Sequence, residues 1–64
     1  MRQIPPVSEM VIERKPGTDL WWVWYEFRDP YNLYIFGTGK TREDAINEAI
    51  AEIAALSLTE SMDL

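Results

Sequence analysis

The clearest periodicity in the chain lies in Leu20–Arg28, LWWVWYEFR. Alternate residues there fall into two sets: Trp21, Val23, Tyr25 and Phe27, apolar throughout, and Trp22, Trp24, Glu26 and Arg28, which ends in two charges. A period of two in aromatic and β-branched residues predicts a strand whose all-apolar set faces the core. Ahead of it, Met1–Pro6 reads as an extended leader, because Pro5 and Pro6 disfavour helix in their predecessors. Val7–Arg14 (VSEMVIER) holds Val11 and Ile12 in an imperfect alternation and is read as a first strand, closed by the loop residues Lys15, Pro16, Gly17, Thr18 and Asp19. Beyond the aromatic strand, Asp29, Pro30, Tyr31 and Asn32 read as a turn, and Leu33–Thr38 as a third strand.

The pattern leaves the register of the second hairpin open. A four-residue loop pairs Arg28 with Leu33 and sets Tyr34 and Phe36 on the core face, so that Trp22, Trp24, Leu33 and Ile35 gather outside. An odd-length loop reverses this and gathers Trp22, Trp24, Tyr34 and Phe36 outside. Either register leaves large apolar groups on the outer face.

After Gly37 and Gly39 the period changes. Thr41 can cap a helix, with Asp44 in capping-box position and Glu43 and Asp44 placed to suit the macrodipole. Ala45, Ile46, Ala49, Ile50, Ile53 and Ala54 then recur at three- and four-residue steps, with Glu43, Asn47, Glu48 and Glu52 on the opposite face. This predicts a helix over 41–57, followed by a polar tail over 58–64. The expected fold is α+β: strands over 7–38 form a three-stranded antiparallel sheet, and one C-terminal amphipathic helix packs on one face, all within a single domain, 1–64.

Composition narrows what such a fold can do. The chain has 64 residues, 47% of them hydrophobic, with no Cys and no His. Disorder is excluded by the hydrophobic content, and a disulfide or thiolate metal site by the absence of Cys. Without His, both the commonest general base and the commonest nitrogen ligand are missing, and no serine has a partner to activate it. No apolar run is long enough to span a bilayer and no signal-like core follows Met1, so a cytoplasmic location is expected, the host cytoplasm if a phage encodes the chain. The formal charge of −5 is unevenly placed: residues 1–42 hold all six basic residues and five acids, for +1, and residues 43–64 hold six acids and no base, for −6.

Two local patterns suggest chemistry; one fails on spacing and the other on its surroundings. Gly37, Thr38, Gly39, Lys40 and Thr41 sit between a strand and a helix as a phosphate loop would, but the position where that motif needs its first glycine is Tyr34. Glu48 and Glu52 lie four residues apart on a solvated helix face, where nothing separates their pKa values for acid–base work. No cofactor or metal is therefore expected, and the chain is read as non-catalytic.

The stretch Gly39–Ile53, GKTREDAINEAIAEI, resembles the strand-to-helix junction of HicB-like antitoxin domains through Gly39, Thr41, Glu43, Asp44, Ala45, Ile46, Ala49 and Ile53. That resemblance implies a module that neutralises a partner protein by binding it. In size and charge the chain is also similar to small acidic phage-encoded inhibitors, anti-CRISPR proteins among them. The expected partner is a protein with a basic or nucleic-acid-handling surface. Trp22 and Trp24, with Tyr34 or Phe36, would be the apolar anchors, and Glu43, Glu48 and Glu52 would steer or rim the contact. A homodimer is the alternative use of the same face, and direct nucleic-acid binding is disfavoured by the sign of the charge.

Overall fold

The computed structural model describes residues 4–28 and 31–62. Three strands, β1 (Val11–Arg14), β2 (Trp21–Arg28) and β3 (Tyr31–Gly39), form an antiparallel sheet in the order β1-β2-β3, and one helix, α1 (Arg42–Met62), packs on it. This is the expected α+β arrangement. The first hairpin closes where Lys15 donates to the Leu20 carbonyl at 2.8 Å, and Gly17 takes φ +77°, the left-handed conformation that a turn with proline just before it requires.

The face of β2 read as the core face is buried against α1. Val23 is fully buried at 0% exposure and Phe27 is buried, with Trp21 and Tyr25 half-buried against the same cluster. Met10, Phe36, Ala45 and Ala49 complete the cluster, flanked by Ile4, Ile12, Ile46, Ile53 and Leu56. Thr41 caps the helix as its side chain suggests, its Oγ1 accepting from the Asp44 amide at 3.0 Å.

Three local readings are revised. The first strand begins at Val11, not Val7, because Val7–Glu9 forms a 3₁₀ turn in which the Glu9 amide bonds the Pro6 carbonyl and the Met10 amide the Val7 carbonyl, both at 3.0 Å. That turn brings Met10 into the core beside β1. The helix continues past 57 to Met62, since no Gly or Pro follows Leu56 to stop it. The third strand starts at Tyr31, whose pairing with Arg28 leaves two residues between the strands; Asp29 and Pro30, read as the start of the turn, lie outside the described residues.

The register of the second hairpin is of the even-numbered kind, with Trp24 opposite Ile35 and Glu26 opposite Leu33. A bulge then intervenes: Val23 pairs with Gly37 while Trp24 pairs with Ile35, so Phe36 is the extra residue of β3. Phe36 already faces inward with Tyr34, and the bulge brings Gly37 onto the same side; both are buried.

Beyond the bulge, α1 presses on β3 at the two glycines. A Cβ on Gly37 would collide with the helix backbone at Ala45 and Ala49, and one on Gly39 would stand 2.6 Å from the Asp44 Cβ and 2.8 Å from the Ala45 amide nitrogen. The helix can yield only by lifting off the sheet. Gly37→Ala is therefore expected to destabilise the fold by about 1–3 kcal/mol, the usual cost of overpacking, as read by urea denaturation.

Candidate functional site

Among the described residues no helix covers the face of the sheet away from α1, and β2 crosses its middle. Strand alternation sets Trp22 and Trp24 there. Glu13 and Thr38 stand opposite Trp22, and Val11 and Ile35 opposite Trp24. Leu33 and Ile35 are 47% and 41% exposed, Val11 is exposed, and the two indoles are half-buried among them. The result is an apolar, aromatic surface with Glu26 and Arg28 exposed toward one end.

One carboxylate fixes the two rings. Glu13 Oε1 accepts from Trp24 Nε1 at 2.8 Å and from Trp22 Nε1 at 3.2 Å, so a single oxygen satisfies both indole donors. The rings lie edge to face, their centroids 6.4 Å apart at 62°. Lys15 Nζ sits 5.9 Å from the Trp22 ring centroid, adding a cation to its face. With both N–H groups bonded within the chain, the indoles offer a partner carbon surface in a fixed geometry, which lowers the ordering cost of contact.

Tyr34 and Phe36 lie on the opposite, helix-facing side. Their rings are 4.6 Å apart; Phe36 is buried at 4% exposure, and Tyr34 is half-buried against the core. Neither can anchor a partner beside Trp22 and Trp24, because the even register turns both Tyr34 and Phe36 inward. Leu33 and Ile35, the outer set of the even register, take those places.

The acidic residues follow the helix. Glu43 and Glu48 are exposed, and half-buried Glu52 accepts a 2.8 Å hydrogen bond on Oε2 from the Tyr34 hydroxyl. That bond raises the Tyr34 pKa above the ordinary phenol value of 10.0, with burial and the charge of Glu52 acting in the same direction. The tryptophans and the acids are thus on opposite sides of the sheet. They approach each other at the free edge of β3, where Ile35, Phe36, Gly37 and Thr38 meet Glu48 and Glu52 around an open groove of about 320 Å³.

Searches against family models, curated proteins and solved structures return no match. Function therefore has to be argued from these surfaces. Among the described residues no group of three Asp or Glu is placed to hold a metal ion, and no helix is long and apolar enough to cross a membrane.

The residue that sequence reasoning missed is Glu13, which read only as part of a short strand. Its signal was present in the hairpin: closing the loop at Lys15 and Leu20 sets Glu13 across from Trp22. Removing the carboxylate while keeping shape tests its role. Glu13→Gln keeps one acceptor oxygen, whereas Glu13→Ala leaves both indole donors without one and should cost about 1–3 kcal/mol of stability in chemical denaturation, with a red-shifted tryptophan emission.

A second outcome follows from Tyr34. Its folded-state pKa is raised, so the stabilisation from the bond to Glu52 is complete below the unfolded phenol value of 10.0 and is lost as pH rises through the folded-state pKa. Tyr34→Phe should lower stability at neutral pH and abolish that part of the alkaline decline, as read by denaturation at several pH values.

Proposed function

We propose that the protein is a small non-catalytic binder that inhibits a partner protein by covering part of its surface. The observation that carries this reading is the uncovered outer sheet face, where Glu13 holds Trp22 and Trp24 in fixed positions among Val11, Leu33 and Ile35. Aromatic side chains that are rigid, half-desolvated and central to an apolar patch are the usual anchors of protein contacts. The −6 of residues 43–64 favours a basic partner, and nucleic-acid-handling enzymes commonly present such surfaces. The HicB-like pattern of Gly39–Ile53 supports an antitoxin-type partner, a ribonuclease toxin; a host defence nuclease met in the cytoplasm is the alternative target.

Self-association is a second reading, favoured by the same uncovered face and by the small core of this short chain. Two copies meeting face to face would bury the indoles and add stability that depends on concentration. Light scattering across a concentration series decides this: a dimer that competes with partner binding assigns the face to the second copy, and a monomer throughout removes that reading.

The inhibitor reading is tested by sequencing the genes on either side of this one and purifying whichever nuclease they encode. Titration should give stoichiometric inhibition of hydrolysis, and Trp24→Ala should weaken binding by about 2 kcal/mol, roughly thirtyfold, with the circular dichroism of the fold retained. Ile35→Ala, which removes no hydrogen-bonding group, reads the same face should Trp24→Ala unfold. Unaltered hydrolysis at saturating protein, or undiminished binding by folded Ile35→Ala and Trp24→Ala, overturns the reading.

A further inference from the structure

We infer that the free edge of β3 accepts an extended basic segment of a partner protein, added to the sheet as a fourth strand with its cationic side chains against Glu48 and Glu52. This deepens the inhibitor reading and rests on it only for the partner being a protein.

Three observations carry the inference. First, β3 is the outermost strand in the order β1-β2-β3, and it runs from Tyr31 to Gly39, long enough to template an incoming strand through its outward row of backbone groups. Second, the edge opens onto the groove of about 320 Å³ whose lining includes both sheet positions and the helix carboxylates, so an added strand would have room on its helix side. Third, the charge there has one sign. Exposed Glu48 and half-buried Glu52 stand over the groove, and residues 43–64 contain no Lys or Arg.

Strand geometry then specifies the occupant. Successive side chains of an added strand point to opposite faces of the sheet. One set would lie beside Ile35 and extend the apolar outer face. The other would enter the groove near Glu48 and Glu52, where a Lys or Arg stem can lie along the strand while its charge reaches the carboxylates. The occupant is therefore an alternating segment, basic at every second residue and apolar or β-branched between.

A second copy does not fit. Its β3, residues Tyr31–Gly39, contains no basic residue. Joining two β3 edges into one continuous antiparallel sheet would place both helices on the same face and set the two Glu48 and Glu52 pairs toward each other. Like charges meeting across such a seam oppose it.

The test uses a capped decapeptide of alternating Lys and Val, and a control of identical composition with its lysines gathered in one half. Calorimetric titration of the whole chain at constant salt should show the alternating peptide binding at least about tenfold more tightly than the control. Amide hydrogen exchange should show new protection within β3. Glu48→Gln combined with Glu52→Gln should weaken binding about tenfold or more, and the amide oxygen at position 52 can still accept from Tyr34 and keep the fold. Trp24→Ala, on the other face, should leave peptide affinity unchanged, which separates this result from the nuclease test above. Equal binding of the two peptides, protection that spares β3, or an undiminished affinity in the double Gln variant each overturns the inference.

Discussion

The close approach of α1 to β3 at Gly37 and Gly39 is the contact on which the arrangement depends. Ala45 and Ala49, both fully buried, meet glycines rather than side chains, so helix backbone and strand backbone nearly touch. Dispersion falls off steeply with distance, and contact between small residues recovers it along the whole length of the meeting surfaces. The choice of small residues also fixes where the helix lies. It is drawn over β3 and the adjoining part of β2, while the far side of the sheet beside β1 is filled by Met10 and Ile4. The 3₁₀ turn at Val7–Glu9 is thus the counterpart of an off-centre helix: it supplies the apolar groups that the helix does not bring.

That placement leaves a second constraint. A sheet with one helix has one dry face, and β2 has large rings on both. On the outer face the two indole donors would each need water or a partner. Glu13, across from Trp22 on β1, answers both with one oxygen. A carboxylate between two tryptophans has no role in burying the core, which is on the other side. Its effect is to order the rings at a surface, and a surface ordered in that way loses less conformational entropy when something else packs on it.

Much of this was legible in the chain and some of it was not, for reasons that lie in particular residues. The core face of β2 could be read because Trp21, Val23, Tyr25 and Phe27 stand at strict alternation, and the helix start because Thr41 precedes an acidic turn. In β3 the run Leu33, Tyr34, Ile35, Phe36 is apolar at every position, so a period of two says nothing about which set faces inward. The bulge at Phe36 compounds this by placing Phe36 and Gly37 on the same side, something that alternation cannot express. The choice of Tyr34 and Phe36 as outer anchors fails on the register, which turns both inward, and Leu33 and Ile35 stand in their place. The Val7–Glu9 turn escaped for a similar reason: its residues suit a strand as well as a turn, and the docking of Met10 into the core, a tertiary effect, decides between them.

The separation of charge from aromatic surface also takes on a different meaning in three dimensions. Along the chain the near-neutral sheet and the −6 of residues 43–64 are simply successive segments. In the fold the tryptophans and the helix acids Glu43, Glu48 and Glu52 lie on opposite sides of one layer, so a flat partner can meet the tryptophans or these acids but not both. The edge of β3 is where the two sides come within reach of a single extended segment, because Ile35 on the outer face and Glu48 and Glu52 on the helix line the same groove. Edges of this length are commonly protected by inward charges, prolines or strand shortening. Here the bulge at Phe36 and the neighbouring carboxylates provide partial protection, and it is selective. Negative charge repels another acidic edge, including that of an identical chain, and attracts a basic one. If the edge pairs as inferred above, the charge that opposes pairing with an identical chain also sets the sign of the segment that is accepted.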